Sequence, residues 1–152
     1  MGNPTAEEVD SFHRYFAVRS NNDFWDLSER QLNLVEKQHS LTCAFASLFH
    51  WEAVGTAENV QLAKLAVARA YCINESSQSV PYAKEVFEHF DNNGENWVQA
   101  LTNAVLSHAL HIAGQNTLAM DHYKQAVRLQ STLSDGDRRV FDASFRHMPV
   151  LD

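Results

Sequence analysis

Apolar positions in this chain recur at three- and four-residue intervals almost from end to end, and no stretch alternates strictly over a strand's length. That spacing puts apolar side chains on one face of a helix, whereas a half-buried strand needs a period of two. Thr5-x-x-Glu8 reads as a capping box opening a first helix over 6–27, with Val9, Phe12, Phe16, Phe24 and Leu27 as its apolar face. Ser20-Asn21-Asn22 predicts a break within it, and Ser28-x-x-Gln31 a second capping box, opening a helix that ends at Gly55. In that helix Leu34, Leu41, Phe45 and Leu48 form one apolar row, and Val35, Ala46 and Phe49 another.

Thr56 caps a third helix over 57–73, which the polar loop Asn74 to Gln78 ends. Pro81 fits the first turn of a fourth, where a missing N–H costs nothing. Further helices over 96–113, 116–133 and 137–147 complete an all-α chain of about seven helices. Gly55, Gly94, Gly114 and Gly136 read as the joints between them.

Composition narrows the class. Five Gly and three Pro among 152 residues are too few for a turn-rich sandwich or barrel, and 45% apolar residues exclude intrinsic disorder. The length implies one domain, 1–152, made of N-terminal helices over 6–55, two pairs over 57–95 and 96–133, and a cap over 137–147. The net charge is −7 and the longest basic run is Arg138-Arg139, so no stripe exists to displace counterions from nucleic-acid phosphates. No stretch approaches the roughly 20 apolar residues of a membrane span. The acidic N-terminus has no apolar segment of the secretory type, and the expected location is the cytoplasm. Cys43 and Cys72 fall at unequal distances from the Gly55 turn, so two reduced, buried thiols are expected rather than a disulfide.

A repeat underlies the pattern. Tyr82-Ala83 to Val86-Phe87 aligns with Leu118-Ala119 to His122-Tyr123, keeping the spacing of small and aromatic residues. Val67-Ala68-x-x-Tyr71 aligns in the same way with Leu106-Ser107-x-x-Leu110. Small residues in mid-helix let a partner helix approach, and the large ones nearby fill the groove beside it. This spacing resembles the tetratricopeptide repeat, best over residues 100–133 and less well over 61–95, where Phe90 stands at the last small position. The early Trp and late Pro of that motif are absent from both stretches. His50-Trp51-Glu52-Ala53-Val54-Gly55-Thr56, Arg69-Ala70-Tyr71 and Trp97 also resemble a set of small helical bacterial proteins of the same kind, which carry no assigned activity. The resemblance implies antiparallel hairpins in a right-handed superhelix, with an aromatic-rich N-terminal pair and a C-terminal capping helix. It implies no chemistry.

Candidate chemistry is sparse. Among eight histidines, His108 and His111 stand one turn apart, a spacing that can chelate a metal, with His50 as a remote third. Asp10-x-x-His13 and Glu36-x-x-His39 echo a di-iron motif without its companion glutamates. No glycine-rich phosphate loop and no assembled nucleophile set are present, and no cofactor is implied. Ala68 and Ser107 at the small positions put Leu62, Leu65, Arg69 and Cys72 on the groove face of one first helix. The same register puts Leu101, Ala104, His108 and His111 on the next. Apolar side chains mixed with Arg and His suit a peptide segment whose polar groups set register.

The leading expectation is a non-enzymatic interaction or scaffold module that binds a protein or peptide through Leu62, Leu65, Arg69, Leu101, Ala104, His108 and His111, or that pairs with itself as a homodimer. One alternative is a metal-binding protein or enzyme using His108, His111 and His50. Another is a ligand-binding domain with a closed cavity lined by Trp25, Phe45, Trp51 and Trp97.

Overall fold

The computed structural model describes residues 2–152. It contains seven helices: α1 (Ala6–Ser28), α2 (Leu34–Val54), α3 (Ala57–Ile73), α4 (Ser79–Phe90), α5 (Asn96–Ile112), α6 (Asn116–Gln130) and α7 (Asp135–Phe145). There is no strand among the described residues, and no helix is long and apolar enough to cross a membrane.

The expected starts of α1 and α3 are formed by complete capping boxes. Thr5 accepts from the Glu8 amide and Glu8 returns to the Thr5 amide, while Thr56 and Asn59 exchange the same bonds at α3. The expected box at Ser28 does not form, and neither does the break at residues 20–22. Helix α1 runs without interruption to Ser28, whose hydroxyl donates back to the Trp25 carbonyl at 2.8 Å. The box that opens α2 is Asn33 with Glu36. Asn is as good an N-cap as Ser, and here the chain must first turn through residues 29–33.

Gly114 is a helix stop of the left-handed kind, with φ of +76°, which L side chains rarely adopt. Gly136, expected as a stop, instead sits in the first turn of α7, which Ser134 caps through the Asp137 amide.

Each helix from α1 to α5 packs against the next, and α1, α3, α5 and α7 also touch one another in that order. Helix α3 can serve four neighbours because half of its buried residues are alanines: Ala63, Ala66, Ala68 and Ala70. Small side chains let helix axes approach at the short end of the 8–10 Å range. Helix α5 is buried nearly all round, from Val98 to Leu110, with Ser107 donating to the Ala119 carbonyl of α6 at 2.7 Å. A helix hydrophobic on every face belongs in a core.

The apolar face expected for α1 is buried only in its second half. Phe24 and Leu27 join the core, while Val9, Phe12 and Phe16 are exposed in the half of α1 whose His13 and Phe16 meet His50 near the end of α2. In α2, Leu48 is buried, whereas Leu34, Val35 and Phe49 are exposed. Cys43 and Cys72 are free and buried.

The two possible starts of α2 make different predictions for stability. Replacing Asn33 by Ala removes the cap and is expected to cost about 1 kcal/mol. Replacing Gln31, exposed in the turn, is expected to stay within about 0.5 kcal/mol. Urea denaturation of both variants measures the difference.

Candidate functional site

Of the seven residues expected to form a binding face, Leu62, Leu65 and Leu101 line one recess and Arg69 and His108 another, and between α3 and α5 there is no open groove. Helix α1 covers this face from one side and α7 with the C-terminal tail from the other, and the two meet where Ser28 Oγ lies 3.2 Å from Ser144 Oγ. Both serines are buried. Leu65, Leu101 and Ala104 are therefore core residues as well as face residues, Leu62 is half-buried, and His111 is exposed.

Recesses remain on either side of the serine contact. The first, of about 260 Å³, has mainly apolar walls: Trp25 of α1, Leu62 and Leu65 of α3, Trp97 and Leu101 of α5, and Val140 of α7. Its two indoles are held by neighbours on the chain. Trp25 Nε1 donates to Asn21 Oδ1 at 3.2 Å, and Trp97 Nε1 donates to Glu95 Oε2 at 2.7 Å. The closed cavity expected between four aromatic residues does not exist in that form. Trp51 lines a separate, smaller recess, and Phe45 packs edge-on against Tyr71 and Tyr82.

The second recess, of about 220 Å³, is polar. Arg69 and Cys72 of α3 and His108 of α5 line it, together with Arg30 and Lys37 at the entry to α2 and His147 beyond α7. Arg69 is only 2% exposed, although it is the largest fully buried side chain in the protein. Its Nη1 donates to His108 Nδ1 at 3.2 Å, its Nε is buried without a partner, and no carboxylate pairs with it among the described residues.

Burial acts on all three groups at this spot. It lowers Arg69 to about 10, so the guanidinium stays charged at neutral pH. Burial, with Arg69 and His111 adding repulsion, pushes His108 down to about 3. The imidazole is thus neutral and accepts Arg69's hydrogen bond at Nδ1. Burial also raises the Cys72 thiol to about 11, against the opposing pull of Arg69 and a bond with Ser79. A thiol held protonated is no nucleophile.

The remaining histidines are dispersed. His108 and His111 share a helix, but one is tied to Arg69 and the other faces solvent. His50 meets His13 at 2.9 Å between α1 and α2, and burial followed by repulsion from His13 lowers its pKa. Glu36 is occupied by the α2 cap and by Arg30, and His39 by Cys43. His122 Nδ1 donates to Asn103 Oδ1 at 2.9 Å, and the ring packs edge-on against Phe87. Among the described residues, no three His, Cys, Asp or Glu side chains converge in a way that would hold a metal ion.

Reading by helical period located Arg69 and His108 but missed Arg30, Lys37 and His147. Those three come from a turn and a tail, whose docking no periodicity reports. The available signal was Arg69 itself, the one cation in the otherwise apolar run from Leu65 to Ile73. No protein family, curated protein or solved structure matches this chain.

The depressed pKa of His108 makes a signed prediction. The unfolded imidazole takes up a proton near its ordinary value of about 6.5, whereas the folded one does not. Stability is therefore full above that value and is lost as pH falls toward 3, by up to about 1.4 kcal/mol per pH unit from this residue. His50 and His122 shift in the same direction. His108→Gln keeps an acceptor for Arg69 and removes the titration. Urea denaturation between about pH 7 and pH 5 should show a shallower loss for the variant than for the wild type.

Proposed function

We propose that this chain is a non-enzymatic, tetratricopeptide-like binding module that holds a peptide segment of a partner protein on the face formed by α3 and α5. Its helices then form antiparallel hairpins, α1, α3, α5 and α7 make up the inner layer of a right-handed superhelix, and the cytoplasm is its place of work. The order of helix contacts supports this reading, since each helix from α1 to α5 meets the next and the odd-numbered ones meet in turn.

The observation that carries the reading is the tryptophan recess. Its walls are Leu62, Leu65 and Leu101, three of the residues that the repeat register puts on the groove face, joined by two half-buried indoles. At about 260 Å³ it falls below the usual range for a drug-sized ligand, roughly 300–1,000 Å³, and suits one or two apolar side chains. Aromatic pockets with a polar rim are where interface energy concentrates. Asn21, Glu29 and Ser144 supply that rim.

Selection of a random peptide library on the full chain tests the reading. Enriched peptides are expected to carry an aromatic or aliphatic anchor and to change the emission of Trp25 and Trp97. They are expected to lose binding about 10-fold or more to Leu62→Glu, which puts a carboxylate into the recess. Failure to enrich any peptide, or equal binding to that variant, would contradict it.

A further inference from the structure

Arg69 is a buried cation with nothing to neutralise it, and we infer that the recess around it is a binding site for an oxyanion: a phosphoryl or carboxylate group carried by the ligand of the α3/α5 face. The nature of the carrier rests on the function proposed above, but the anion site does not.

Lys and Arg are almost never fully buried unless paired, because a desolvated charge needs a counter-charge. Arg69 is 2% exposed, and its one side-chain hydrogen bond goes to an imidazole. Of the five N–H donors a guanidinium carries, the one at Nε is buried with no acceptor. The same side chain lines the polar recess of about 220 Å³.

The surroundings have the right sign. Three permanent cations, Arg30, Lys37 and Arg69, line this recess against a single carboxylate, Glu75, in a chain whose net charge is −7. Lys37 is half-buried and makes no ion pair among the described residues. Arg30 is held at the rim by Glu36 at 2.8 Å, and Glu75 lies exposed. His147 adds a ring nitrogen from the C-terminal tail. A neutral His108 accepts from Nη1 without cancelling the charge of Arg69, whose Nε remains unpaired. A planar fork of N–H donors fits two oxygens of a carboxylate or phosphate in a way no point charge does.

The test titrates the full chain with sodium phosphate and, separately, with sodium acetate, each against sodium chloride at equal ionic strength. Thermal unfolding and amide NMR shifts provide the readouts. At least one oxyanion should bind saturably and raise the melting temperature beyond chloride, with shifts at residues 30, 37, 69 and 147. Saturation by phosphate alone assigns a phosphoryl group, and by acetate alone a carboxylate. Arg69→Met is expected to weaken binding about 10-fold or more, and Lys37→Gln about fivefold. Lys37→Gln decides the matter should Arg69→Met fail to fold.

The proposal is overturned if neither oxyanion exceeds chloride, if folded Arg69→Met keeps the response, or if Lys37→Gln binds like the wild type. Saturable anion binding with no peptide selected would retire the peptide reading alone. Peptide binding indifferent to both substitutions, with no oxyanion response, would retire the anion site alone.

Discussion

A charged guanidinium sealed between two core helices is the constraint that organises this protein. Arg69 of α3 reaches across to His108 of α5, and the pair defines what the surrounding elements must do. A buried cation is tolerable only where a neighbour accepts from it and some route remains to water or a counter-ion. His108 supplies the first by staying neutral. The recess lined by Lys37, Arg30 and His147 supplies the second. Replacing the pair with leucines would give α3 and α5 a conventional apolar seam, and the recess would lose its polar floor.

Around that seam the architecture closes from both ends of the chain. The second half of α1 and the α7 segment lie over the same face and meet through Ser28 and Ser144, two side chains small enough to leave space on either side. An apolar recess with two tryptophans lies on one side and a cationic recess on the other. Leu62 and Arg69 are seven residues apart on α3, as are Leu101 and His108 on α5, so helical rise separates the ends of the face by about 10 Å. An amphipathic ligand with an apolar anchor and an anionic group at that separation matches both ends.

Much of this was legible in the sequence, for identifiable reasons. The spacing of apolar residues revealed seven helices because apolar side chains recur at the helical period in each, and reciprocal boxes such as Thr5 with Glu8 marked helix starts. Ser28 misled because a capping box is a local pattern that a helix can run through. Its hydroxyl instead bonds the preceding turn and Ser144, a residue 116 positions away. The exposure of Phe12 and Phe16 was hidden as well, since an apolar face does not reveal whether a partner extends far enough to cover it. The repeat register put Arg69 and His108 on neighbouring helix faces, where the two side chains do meet. Their burial was invisible because it depends on α1 and α7 folding over them.

The central claim is that Arg69 is a stability liability retained for what it binds. A double-mutant cycle on Arg69→Met and His108→Leu, in buffer free of phosphate and carboxylate, tests it most directly. The account predicts that Arg69→Met alone is no less stable than the wild type, since it removes an uncompensated buried charge. It predicts that His108→Leu alone loses about 1–3 kcal/mol by stranding the guanidinium, and that the double variant regains that loss. Arg69→Met losing several kcal/mol, with no recovery in the double variant, would mean that the guanidinium is a structural strut and would contradict the account.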